Sequence, residues 1–161
     1  MAPPHSAASV FDLMFRLAYR LVYPPWRLYL QLSKRRTQGS QVVVWSGERV
    51  LLIRNSYRRE YTFPGGYLKR GEDTRTAARR ELREETGITV RADQLVFACS
   101  WSHQVGRSTG HDDLYECRFE QSPRLKIDNR EVVEGRFVTP QQAWTLPIEA
   151  HVRKYLENYS A

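Results

Sequence analysis

Cysteine is scarce in this 161-residue chain, which has only Cys99 and Cys117. Two thiols build no disulfide framework. Both fall in apolar, strand-like stretches, so the expectation is buried free thiols in a reducing, cytoplasmic compartment. Long hydrophobic runs are missing too. The most apolar stretch, Val10 to Tyr23, is short and charged at Asp12, Arg16 and Arg20. It is unfit to span a bilayer and lacks the layout of a secretory signal. There is no internal repeat and no low-complexity tract, which excludes a solenoid and a purely disordered chain. Acidic residues are nearly absent from residues 1–36, which hold six basic side chains and one acid, a net of +5 in a chain of total +7. The remainder carries only +2, so specific nucleic-acid binding is not expected of it. The length suits one domain with a proper core.

The segment from Gly66 to Ile88 carries most of the chemistry. Asp73 to Thr86 reads as a helix, with Glu72 and Asp73 at its positive end and Gly87 as its stop. Glu81 and Glu84 are three residues apart and Glu81 and Glu85 four, so the three carboxylates share one patch of the helix. Glu72, about two turns upstream, reaches toward the same side. Like charges this close repel, and a hard divalent cation relieves the repulsion. Oxygen-only ligands favour Mg²⁺ or Mn²⁺ over zinc. The bland alternative is a solvated helix whose acids are paired with the interleaved Arg75, Arg79, Arg80 and Arg83. Ahead of the helix, Pro64-Gly65-Gly66 breaks the strand pattern, and a bare backbone there can approach a metal or a phosphate closely.

Gly66, Glu72, Arg80-Glu81-Leu82, Glu84-Glu85 and Gly87-Ile88 fill nine positions with no substitution and no spacing error. The pattern is similar to the signature of the Nudix hydrolases, and the resemblance covers roughly residues 38–159. It implies an α/β fold, the Nudix α/β/α sandwich with a mixed β-sheet, and a metal-dependent pyrophosphohydrolase using Mg²⁺ or Mn²⁺. The implied metal ligands are the Gly65 carbonyl, Glu84 and Glu85. Glu81 is a ligand or the general base, Arg80 orients the carboxylates, and Glu72 supports them. A further ligand from outside the box is implied just before a late strand. Glu131 fits that placement better than Glu134, with Asp112 and Asp113 as runners-up. The implied substrate is a nucleoside diphosphate linked to another group. The alternatives are a non-catalytic nucleotide-sensing module and an RNA 5′-end pyrophosphohydrolase. The markers of the ADP-ribose, dinucleoside-polyphosphate, NADH and coenzyme A subfamilies are absent, so the resemblance names no substrate.

Substrate contacts are expected from the basic group Arg54, Tyr57, Arg58 and Arg59, which can hold phosphates. Tyr57, Tyr61, Tyr67 and Trp101 can stack a base, a contact worth roughly 1–3 kcal/mol. Each aromatic has the competing reading of a core or rim residue. His103 and His111 lack a Cys partner at zinc spacing and are assigned no metal.

Around the box, Gln41 to Trp45 and Arg49 to Arg54 read as a hairpin. Gln94 to His103 and Leu114 to Glu120 read as strands joined by a polar stretch, Gln104 to Asp113. Arg136 to Val138 reads as a short strand, Thr139-Pro140 as a helix start, and Pro147 as the opening of a last helix through about Tyr159. Strands and helices in this order imply α/β with helices on both faces of a mixed sheet. Residues 1–37 form a basic amphipathic helical segment ahead of the 38–161 domain. In that segment Pro24-Pro25 is expected to break the helix before a short resumption at Trp26 to Leu32, followed by Lys34-Arg35-Arg36. Two readings stand for the segment through residues 10–36. One is a helix lying on an anionic membrane surface, which would place the protein peripherally at the inner face. The other is a helix packed on the core or in a homodimer interface.

Overall fold

The computed structural model describes residues 9–33, 36–127 and 129–159. Lys34-Arg35 of the basic run and Asp128 lie outside the described residues. The helices are α1 (Val10–Leu32), α2 (Thr74–Thr86), α3 (Pro140–Ala143) and α4 (Ala150–Tyr159). The strands are β1 (Arg36–Ser46), β2 (Arg49–Asn55), β3 (Tyr61–Thr62), β4 (Gly65–Tyr67), β5 (Val96–Val105), β6 (Ser108–Phe119) and β7 (Val132–Val138).

One mixed seven-stranded sheet runs in the order β3-β2-β1-β6-β5, with β4 also on β1 and β7 also on β2. The long β1–β6 pairing is parallel, from Arg36 opposite Thr109 to Ser46 opposite Phe119. The other pairings are antiparallel. The unbroken apolar run in β1 is explained by burial on both faces. Val42 and Val44 join Ala78 and Leu82 of α2 in one core cluster. Val43 and Trp45 join Val152 and Leu156 of α4 in the other. Leu51 and Ile53 of β2 point to the first cluster, and Val50 and Leu52 to the second. The α/β/α sandwich follows from that alternation.

Four expectations need correction. The stretch Gln104 to Asp113 is mostly strand, since β5 and β6 continue to a tight turn at Gly106-Arg107. The last helix begins at Ala150 rather than Pro147. Pro147 accepts a hydrogen bond from Tyr61 N at 2.7 Å, and Glu149 N donates to Tyr61 O at 3.0 Å, so this stretch extends the sheet before it coils. Cys99 is exposed while Cys117 is buried, because β5 is an edge strand whose start also exposes Val96 and Phe97. The fourth correction is α1, one continuous helix with Pro24 and Pro25 inside it. Both sides of the prolines are anchored on the domain. Arg20 Nε donates to Ser56 O at 3.0 Å on one side, and Gln31 O accepts from Arg107 N at 3.0 Å on the other. Among the described residues no helix is long and apolar enough to cross a membrane.

Candidate active site

Helix α2 is set by its ends. Asp73 caps it by accepting from Thr76 N at 2.9 Å, and Gly87 closes it in the left-handed region at φ 73°. Ala77, Ala78 and Leu82 bury one side against the sheet, which turns the acids toward the β4 loop. The Glu85 carboxylate is buried and accepts from Gly65 N at 2.8 Å. Glu81 lies against Gly66 so closely that a Cβ there would stand 2.6 Å from its Oε1. At Gly65 a Cβ would meet Ser40 O at 2.3 Å. Close approach to backbone therefore requires glycine at position 65, whereas at position 66 a side chain would displace the Glu81 carboxylate.

Arg80 gathers the remaining acids. Its guanidinium donates to both Glu72 oxygens at 2.9 and 2.8 Å, to Glu81 at 2.5 Å and to Glu84 at 3.3 Å. It also donates to the Tyr67 carbonyl at 3.1 Å. Those Arg80 hydrogen bonds hold Glu72 down at about 2. Burial pushes the Glu81 carboxyl up, against Arg80 and with help from Glu84 and Glu131. Among the described residues no three acids or His/Cys groups close on a single point, because Arg80 stands between them. The donors available are carboxylate and peptide oxygens alone, which fit Mg²⁺ or Mn²⁺.

Glu131 comes from the loop before β7. Its carboxylate accepts from Tyr57 Oη at 2.9 Å, and its field reaches Glu81. The other loop acids are engaged differently. Glu134 is paired with Arg54 and Arg136. Asp113 accepts from the Thr74 and Ser100 hydroxyls at 2.8 and 2.7 Å. Asp112 is packed against Gly39, with its carboxyl pushed up by burial.

The substrate-side residues divide. Tyr57 stacks on Tyr23 of α1 with ring centroids 4.4 Å apart, and burial followed by Glu131 pushes its phenol up, so it stays a donor. Arg58 pairs with Glu149, Glu149 lies 3.4 Å from His151 Nδ1, and His151 stacks on Trp101 with centroids 5.2 Å apart. Tyr57, Arg58 and Trp101 thus belong to one connected wall. Arg54 and Tyr61 are elsewhere, Arg54 on Glu134 and Tyr61 buried in the α4-side core. Glu149 and His151 were not singled out in the sequence, where nothing local ties them to Arg58. A cleft of about 580 Å³ beside Glu72 adds three more basic side chains, Arg36, Lys69 and Arg70. Lys69-Arg70 within the glycine-bounded loop was the available signal for it.

A sequence model of the NUDIX domain matches residues 35–159. A MutT-like protein of Streptomyces ambofaciens is 43% identical over 54 residues, which are 34% of this chain and 35% of that protein. The match therefore spans about a third of the relative's length. A MutT NUDIX hydrolase from Burkholderia pseudomallei superposes with a TM-score of 0.66 at 19% identity, over 76% of this chain and 97% of that one. A bifunctional NMN adenylyltransferase/ADP ribose pyrophosphatase from Francisella tularensis, complexed with AMP and a Mn ion, gives 0.62 at 20% identity, over 93% of this chain and 49% of that one. At such identities the structures speak for the fold. Membership rests on the sequence match, which takes in the whole box and both helical layers of the sandwich, and by it this chain belongs to the NUDIX domain family.

Proposed function

We propose that this chain is a divalent-metal-dependent pyrophosphohydrolase that cleaves a nucleoside diphosphate linked to another group. The observation that carries the reading is the convergence of Glu72, Glu81 and Glu84 on Arg80, with Glu85 held on the Gly65 backbone. The oxygens that would hold Mg²⁺ or Mn²⁺ are those of Gly65, Glu81, Glu84, Glu85 and Glu131. When bound, such an ion acts as a Lewis acid on the phosphates and lowers the pKa of a water. Glu81, in its buried position beside Gly66, takes the proton from the attacking water when the metal is held by the other oxygens, those of Gly65, Glu84, Glu85 and Glu131. Arg80 fixes the carboxylates against the loop, with Glu72 anchoring its far side. Tyr57, Arg58 and Trp101 border the substrate, where Trp101 offers a stacking face, Arg58 a phosphate contact, and Tyr57, itself stacked on Tyr23, the wall between them and Glu131. The contacts of Arg54 and Tyr61 favour a structural role for both. The two free thiols suit a cytoplasmic setting.

The test is a screen of nucleotides, dinucleotides and nucleotide sugars with Mg²⁺ and with Mn²⁺, reading product identity. Release of a nucleoside monophosphate or phosphate that depends on the metal is the expected outcome. Glu84→Gln and Glu85→Gln should each lose at least about tenfold in turnover, or about 1.4 kcal/mol of barrier, while staying folded. Full activity in excess EDTA, or in both variants, would sink the assignment. Nucleotide binding without turnover would favour the sensing module.

A further inference from the structure

Helix α1 is amphipathic, but it is docked by its polar side. Asp12, Arg16, Tyr19 and Tyr23 follow a spacing of three and four residues that places them on one face. That face meets the domain. Asp12 pairs with Arg130 at 3.4 Å, Arg16 Nε donates to Asn129 O at 2.8 Å, and Tyr19 and Tyr23 stack on Tyr57. The opposite stripe is Val10, Met14, Leu17, Leu21, Leu28 and Leu32, each between 54 and 77% exposed. A continuous apolar stripe along 23 residues, about 35 Å of helix, is far more than scattered surface leucines.

Charge indicates what covers it. The only acid of residues 1–36, Asp12, is turned inward and neutralised by Arg130. The basic pair Lys34-Arg35 follows Ser33 at the end of the helix in the sequence, while Arg36 belongs to the cleft beside Glu72. A second α1 packed on this stripe would cover it but bring no acid to that pair, because its own Asp12 is turned inward. An anionic bilayer supplies both, acyl chains for the stripe and phosphates for the basic end. We propose that the outward face of α1 docks on an anionic lipid surface, with the helix in the plane of the headgroups and the catalytic domain held behind it.

The experiment is co-sedimentation of the full chain with vesicles of phosphatidylcholine, with and without phosphatidylglycerol. Binding is expected only to the anionic vesicles and is expected to weaken as salt rises. Leu17→Glu combined with Leu21→Glu should lose at least about tenfold in partitioning with an unchanged circular dichroism spectrum. Lys34→Ser combined with Arg35→Ser, which leaves the helix intact, should also weaken binding. The proposal is overturned if the wild-type chain stays in the supernatant, if neutral vesicles bind it equally, or if either double variant sediments as well as wild type. It is also overturned if the chain is a dimer that Leu17→Glu with Leu21→Glu splits and neither form binds vesicles.

Discussion

Arg80 and Glu131 act on the same carboxylate, Glu81, in opposite senses, one lowering its proton affinity and the other raising it. Glu131 accepts a hydrogen bond from Tyr57 and its charge reaches Glu81, whereas Glu134 is paired with Arg54 and Arg136. A mobile loop acid that engages metal only with substrate bound lowers kcat more than ground-state metal affinity when removed. Glu131→Gln should therefore depress kcat with a modest change in the Mg²⁺ concentration needed, while Asp112→Asn does little. Steady-state kinetics across a metal titration decides it, and a silent Glu131→Gln beside a damaging Asp112→Asn would move the ligand to β6. Glu72 carries a second prediction, this one about stability. Its folded carboxyl sits at about 2, below the ordinary 4.5, so the Arg80 pair contributes fully above 4.5. That contribution is lost as pH falls through about 2. Thermal midpoints of wild type and Glu72→Gln should converge as pH drops through that window, and a gap that stays constant would show that the pair does not titrate.

Elements set by their own residues were legible, and elements set by distant contacts were not. Helix α2 is of the first kind, since its caps Asp73 and Gly87 adjoin it and Glu81, Glu84 and Glu85 lie within it. Asp73→Ala should cost about 1 kcal/mol by freeing the Thr76 N–H. In a chain of this length that lowers Tm by about 2–4 °C, and calorimetry showing no change would remove the cap from the account. Helix α1 is of the second kind. Pro24-Pro25 signals a break, yet the helix continues because Ser56 O, Tyr57 and the Gly106-Arg107 turn hold its two halves in line. The Pro147 segment waits three residues to coil because Tyr61, 86 positions earlier, takes its backbone hydrogen bonds first. The site divides the same way. The acid cluster is local to α2 and its loop, whereas Glu149 and His151 enter through Arg58, on the far side of the sequence.

Across the whole molecule, α1 reaches the acid cluster through the Tyr57 ring, beside the Asp12–Arg130 and Arg16–Asn129 contacts to the Glu131 loop. Tyr57 stacks on Tyr23 and Tyr19 from one side and hydrogen-bonds Glu131 on the other. A stacked aromatic pair is worth about 0.5–1.5 kcal/mol beyond its burial, enough to bias where a loop acid rests but not to hold the domain together. Among the described residues the core clusters on either face of the sheet contain none of α1, so loosening that helix is expected to leave the sandwich intact. Tyr23→Ala should accordingly lower kcat several-fold by freeing Tyr57 and with it Glu131, while the thermal midpoint of the domain moves little. Tyr23→Phe keeps the ring and should match wild type, and Tyr57→Phe, which deletes the hydroxyl to Glu131, should reproduce the Tyr23→Ala defect. Wild-type turnover in Tyr23→Ala together with a defect in Tyr57→Phe would mean that the helix merely covers the site. Wild-type turnover in both would remove Tyr57 from the positioning of Glu131 altogether.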